Sequence, residues 1–96
     1  MKVSLTEHAR MRLKERQIGI DEVVCIVKSP ARRFYDLKTA HLIAVGPRND
    51  GEQWLIIAYE ETEAGIEVIT VIATSKSLDK IIMNRVSSRR WVEIES

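Results

Sequence analysis

The chain has 96 residues, 45% of them hydrophobic and 30% charged, which fits one globular core and excludes a disordered tail. Its single cysteine, Cys25, rules out an intrachain disulfide and with it a small secreted disulfide scaffold. The net charge of +1 conceals basic ends and an acidic middle: residues 1–40 carry +4, residues 41–70 carry −5 and residues 71–96 carry +2.

If the two ends meet in space, they form a basic face suited to phosphate or to an acidic protein. Otherwise they are an uneven solvated surface. No apolar run approaches the roughly 20 residues that span a bilayer. The opening MKVSLTEHAR has no apolar signal core. A cytoplasmic location with no membrane partner is expected. Cys25, inside Val23-Val24-Cys25-Ile26-Val27, reads as a small buried hydrophobe.

Residues 2–4 are either a short strand or a lead-in. Ser4 reads as an N-cap, with Glu7 three residues on completing a capping box, and a first helix is predicted over about 5–17. Ala9 and Leu13 face the core. His8, Arg12, Glu15 and Arg16 share a polar stripe on which an Arg12–Glu15 ion pair is natural. Gly19 reads as the glycine that ends this helix. A second helix follows, with Asp21 as N-cap, running to about Lys28 before Pro30. Its β-branched run leaves a strand open.

Strand patterns then take over, at 32–38, 40–45, 53–59 and 66–73, with the turn signal Asn49-Asp50-Gly51 between the second and third. Short connections imply an antiparallel meander. A third helix is expected from Ser77 to about Val86, burying Leu78, Ile81, Ile82 and Met83. Arg89–Ile94 is either a tail or a last edge strand. The order predicts an α+β domain: an N-terminal helical hairpin packed on a four-stranded antiparallel sheet, with a C-terminal helix.

Two histidines and one cysteine without ligand spacing make no metal set, and four scattered glycines build no phosphate loop, so no cofactor is expected. Two groups of residues carry chemistry. The stripe His8, Arg12, Glu15 and Arg16 reads either as a solvated or clamping salt-bridge face or as a phosphate-contacting one. A second set comprises Arg33, Tyr35, Lys38, His41, Tyr59, Lys76, Arg85, Arg89, Arg90 and Trp91. Metal-free RNA cleavage needs a base, cations for the phosphorane charge and an acid, and these residue types supply all three. Packing or solvation explains each of them singly.

The run His8-x3-Arg12-x2-Glu15-Arg16-x-Ile18, then Asp21-Glu22-Val23-Val24 and Ser29-Pro30, resembles the opening of a widespread prokaryotic family of domains of unknown function. That family looks related to the BrnT-like and RelE-like toxins of toxin–antitoxin modules. The resemblance implies a toxin-like, metal-independent endoribonuclease acting on RNA or at the ribosome and held by a cognate antitoxin. His8, Arg12, Glu15 and Arg16 are the positions that carry over as catalytic. Lys76, Arg85, Arg89 and Arg90 would extend the RNA surface. The rival expectation is a non-catalytic protein-binding module in which the stripe is a structural clamp. Convergence of His8, Arg12 and Arg16 with at least one sheet or C-terminal residue in an open concavity would favour the enzyme, and Arg12 or Arg16 turned inward and fully bonded to carbonyls or Glu15 would favour the module.

Overall fold

The computed structural model describes residues 2–75 and 77–94. Along the chain the elements are β1 (Lys2–Leu5), α1 (Glu7–Arg16), α2 (Ile20–Lys28), β2 (Arg32–Asp36), β3 (Leu42–Pro47), β4 (Trp54–Thr62), β5 (Gly65–Thr74), α3 (Leu78–Ser87) and β6 (Trp91–Ile94). The expected meander is present as β2 to β5. It forms the centre of a six-stranded mixed sheet, ordered β1-β5-β4-β3-β2-β6, rather than a four-stranded antiparallel one. The two ends of the chain supply the edges: β1 runs parallel to β5, and β6 runs antiparallel to β2. β1 and β6 therefore lie at opposite edges, but the basic segments 1–40 and 71–96 meet where β2 pairs with β6.

The expected N-terminal hairpin is also absent. A strand precedes α1, and the two helices dock on different strands, α1 over β5 and α2 mainly over β3. Each buries its own apolar stripe on the sheet: Ala9 and Leu13 from α1, and Val23, Ile26 and Val27 from α2, against Ala44, Leu55, Ile57 and Val68. Burying apolar area on a sheet releases more water than a short helix–helix seam does, and that favours separate docking. The alternating residues Ile43, Val45 and Ile56 point to the other face, where Ile82 of α3 joins Phe34 and Trp91. The sheet is thus covered by α1 and α2 on one side and, in part, by α3 on the other. Met83, expected in the α3 core stripe, is exposed. Cys25, expected inside, is also exposed, on the outer side of α2. Among the described residues no helix is long and apolar enough to cross a membrane.

The helix ends differ from the sequence reading. Thr6, not Ser4, caps α1: its hydroxyl accepts from the Ala9 amide at 3.1 Å and donates to the Ile69 carbonyl at 2.9 Å. Gln17, not Gly19, closes α1 in the left-handed region at φ 55°, and the Ile18 amide donates back to the Leu13 carbonyl. Gly19 is instead the N-cap of α2, with its amide donating to the Glu22 carboxylate at 3.0 Å, and Asp21 lies inside the first turn. Glu22 also accepts from the Arg48 guanidinium through both oxygens, at 3.2 and 3.3 Å. The Arg48 hydrogen bond is the main reason that the Glu22 carboxyl sits below its usual range, with burial opposing it. The clamp that the sequence placed on α1 is thus formed by α2 and the β3–β4 turn.

Thr6 fastens α1 to β5 where the β4–β5 register shifts between Ala58 and Tyr59. Replacing Thr6 with alanine removes the cap and this tie together. The expected loss is about 1–2 kcal/mol, measurable as a lower urea midpoint at an unchanged denaturant slope.

Candidate functional site on the α3 face

Beyond residue 68, β5 continues without β1 beside it, and α3 packs on β2, β3 and β4 rather than on β5. The uncovered part is a cavity of about 360 Å³. Its floor is Ile43, Ile56, Ala58 and Ile72, and its rim carries His8, His41, Arg85 and Arg90 beside Trp91.

Each rim residue is placed by a local device. His8 sits in the first turn of α1, whose start Thr6 ties to the Ile69 carbonyl, so the imidazole stands at the open edge of β5. His41 is delivered by the tight β2–β3 turn. There the Asp36 carboxylate accepts from the Lys38 and Thr39 amides at 2.9 and 3.1 Å, and Ala40 takes φ 63°. Glu60 faces His41 across the β3–β4 ladder with Oε1 3.1 Å from Nε2, so Nδ1 is the ring nitrogen left to meet a ligand. Arg89, at φ 60°, turns the chain from α3 into β6, and the Arg90 amide donates to the Arg85 carbonyl at 2.9 Å, which brings both guanidinium stems to one corner.

Asp36 anchors that corner. Only 3% exposed, it accepts through Oδ2 from Arg90 Nε and from Trp91 Nε1, both at 3.2 Å. Burial raises its carboxyl pKa, but the bonds from Thr39, Lys38, Arg90 and Trp91 outweigh it, and the net shift is downward. Arg90 spends Nε on Asp36, and among the described residues its terminal nitrogens have no partner. The Arg85 guanidinium carbon stands 6.0 Å from the centre of the Trp91 ring, which itself packs on Phe34 at 5.1 Å. Two cations therefore border an apolar floor, where low dielectric strengthens their attraction for an anion.

No family model, curated protein or solved structure matches this chain. The geometry brings together three of the expected residues, His8, Arg85 and Arg90. It leaves Arg12, Glu15 and Arg16 out. The stripe climbs α1 at 1.5 Å per residue, so Arg16 lies about 12 Å from His8 along the axis. Glu15 and Arg16 instead line a separate cavity of about 270 Å³ with Gln17, Arg48 and Gln53. Arg12 is half-buried and lines neither cavity, and no ion pair joins it to Glu15. Arg89 is exposed and serves the turn. Lys76 lies outside the described residues.

His41 belongs to the site although the sequence reading did not single it out as catalytic. The available signal was Asp36-Leu37-Lys38-Thr39, an Asx-turn pattern that sets His41 at the mouth of a strand. Among the described residues no three His, Cys, Asp or Glu side chains are grouped to hold a metal ion.

Proposed function

We propose that the α3-face cavity is the site of a toxin-like endoribonuclease that cleaves RNA without a metal. The observation that carries this reading is the meeting of two imidazoles, His8 and His41, with two guanidiniums, Arg85 and Arg90, around one open concavity. His8, which has no bonding partner among the described residues, takes the proton of a 2′-hydroxyl. The freed oxygen attacks the adjacent phosphorus. Arg85 and Arg90 hold the non-bridging oxygens as negative charge builds on them. His41, with its ring fixed through Nε2 by Glu60, passes a proton from Nδ1 to the departing 5′-oxygen. The P–O5′ bond breaks, leaving a 2′,3′-cyclic phosphate and a 5′-hydroxyl. This is the activity that the His8-to-Ile18 resemblance implies, with His8 kept and the remaining groups drawn from the sheet and the C-terminal segment. A cognate antitoxin acts by covering this cavity, and the substrate is RNA, free or on the ribosome.

The protein-binding module remains the rival because the floor is apolar: Ile72 is 48% exposed there, and a partner's side chain could seat on it. Cleavage of end-labelled RNA in the presence of a chelator, with and without ribosomes, separates the two. His8→Ala and His41→Ala should each slow cleavage about 100-fold or more. Arg12→Ala should leave the rate within about twofold, because Arg12 lies outside the cavity. A single 2′-deoxy substitution at the cut should stop the reaction. A folded wild-type protein that cuts no RNA in either setting would overturn the enzyme reading in favour of the module.

A further inference from the structure

On the opposite face, where α2 ends, a further cavity of about 350 Å³ opens between α2, β2 and the β4–β5 hairpin. Arg33 of β2, Lys28 of α2 and Tyr59 of β4 line it, with Val27 and Ile66 as apolar wall and Glu61 and Thr62 at the hairpin side. Arg33 pairs across the ladder with Ala44, whose small side chain leaves room for a long guanidinium to lie along the sheet. The Arg33 Nε is shut off from solvent and has no hydrogen-bond partner. The rest of that guanidinium makes no bond to any described residue, and neither do the Tyr59 hydroxyl and the Lys28 amine. Burial raises the Tyr59 phenol's pKa, with the Arg33 charge pulling the other way, so near neutral pH the hydroxyl is a donor. Donors from three elements thus line a part-apolar hollow, and none of them has an acceptor among the described residues. Arg33 Nε is closed to solvent, so the terminal nitrogens of its guanidinium are the ones that a ligand in the hollow would meet.

We propose that this hollow, lined by Arg33, Lys28 and Tyr59, binds a small oxyanion, a carboxylate or a phosphoryl group. The guanidinium fork matches two oxygens of such a group, and the phenol and ammonium meet what remains. The site is on the other side of the sheet from His8 and does not rest on the ribonuclease reading. Two features of the fold compete with a ligand for Arg33. The C-terminal end of α2 favours a nearby cation, and Glu61 could swing in as an internal substitute, although the structure shows no ion pair between them.

The deciding experiment is an NMR titration of the full chain, following the Arg33 Nε–Hε resonance. Inorganic phosphate and acetate are added separately against chloride at constant ionic strength. The expected result is a saturable shift at Arg33 and at the amides of the β4–β5 hairpin. Arg33→Lys, which keeps the charge and loses the fork, should weaken binding at least tenfold, and Tyr59→Phe severalfold. Glu61→Gln should tighten it. Saturation by acetate alone identifies a carboxylate ligand, by phosphate alone a phosphoryl one. Shifts that never saturate, or binding unchanged in a folded Arg33→Lys protein, would overturn the proposal and leave α2 and Glu61 as the reasons for Arg33.

Discussion

Replacing Asp36 with alanine is expected to destabilise the protein by about 3–5 kcal/mol, because the buried Trp91 indole N–H and the turn amides together lose their acceptor, at about 1–3 kcal/mol for each buried donor left unsatisfied. Arg90 Nε, Trp91 Nε1 and the amides of Lys38 and Thr39 all donate to this one carboxylate. Asp36→Asn should cost less, since the amide oxygen still accepts from some of these donors while the charge facing Arg90 is lost. Chemical denaturation at pH 7 checks both. The pH dependence has a definite sign. Folding holds the Asp36 carboxyl below its ordinary value, so its contribution is fully present above that value, near pH 4. It is lost as the pH falls through the lower folded value. Between pH 7 and 4 the wild type and Asp36→Asn should lose stability in parallel. Below about pH 4 the wild type should lose more, and the gap between them should narrow. A gap that widened on acidification would contradict the role given to Asp36.

The same carboxylate shapes the site. Asp36 holds Arg90 through Nε, and the turn that it caps presents His41. One buried group therefore sets two of the four polar rim residues. Asp36→Asn should in consequence lower the proposed RNA cleavage even where the protein stays folded, whereas a variant that merely destabilised would recover its rate on cooling.

How much of this the sequence announces differs by element. The four central strands are legible because runs such as Leu55-Ile56-Ile57-Ala58-Tyr59 are apolar, β-branched and bounded by turn residues. The helix at Ile20–Lys28 is legible from its length in spite of its valines, whereas the Asp21 cap that also pointed to a helix is not its N-cap, which is Gly19. The edges are legible only as alternatives, a strand or a lead-in at residues 2–4 and a tail or an edge strand at 89–94, and the structure has the strand at both. Each of β1 and β6 has four residues, too few for a periodic signal, and each is a strand only because it pairs with β5 or β2, far away in sequence. The α1 cap lies two residues beyond Ser4, which is the better cap by type and has Glu7 at capping-box spacing. The choice falls to Thr6 because its hydroxyl also reaches the Ile69 carbonyl. For the candidate site, residue types were legible and their meeting was not. The α1 stripe correctly groups His8 with Arg12, Glu15 and Arg16 on one helix, but α1 lies on the α2 side of the sheet, and only its first turn reaches the other face.

Gly65→Ala is expected to be the most damaging single-methyl addition in the molecule. Gly65 has φ 140°, which side-chain-bearing residues rarely adopt, and a Cβ there would overlap the Lys2 carbonyl oxygen on the facing strand. The three nearest atoms are all main chain of Lys2, so no side chain can swing away, and β1 must shift off the sheet. Backbone strain of this kind costs of order 1–3 kcal/mol, and the lost burial of Val3 and Leu5, packed on the core from β1, adds to it. Hydrogen exchange should show β1 amides losing protection while the α3 face keeps its own, which distinguishes local detachment from global unfolding. The consequence reaches the proposed chemistry. Thr6 follows β1 directly, and its amide donates to the Val68 carbonyl at 3.0 Å, so a detached β1 loosens the anchor that sets His8 at the cavity. RNA cleavage should fall in Gly65→Ala. Gly51→Ala, at φ 74° on the Asn49-Asp50-Gly51 turn with open space around it, should spare it. Equal loss in both would show that general instability, not the position of His8, controls the rate.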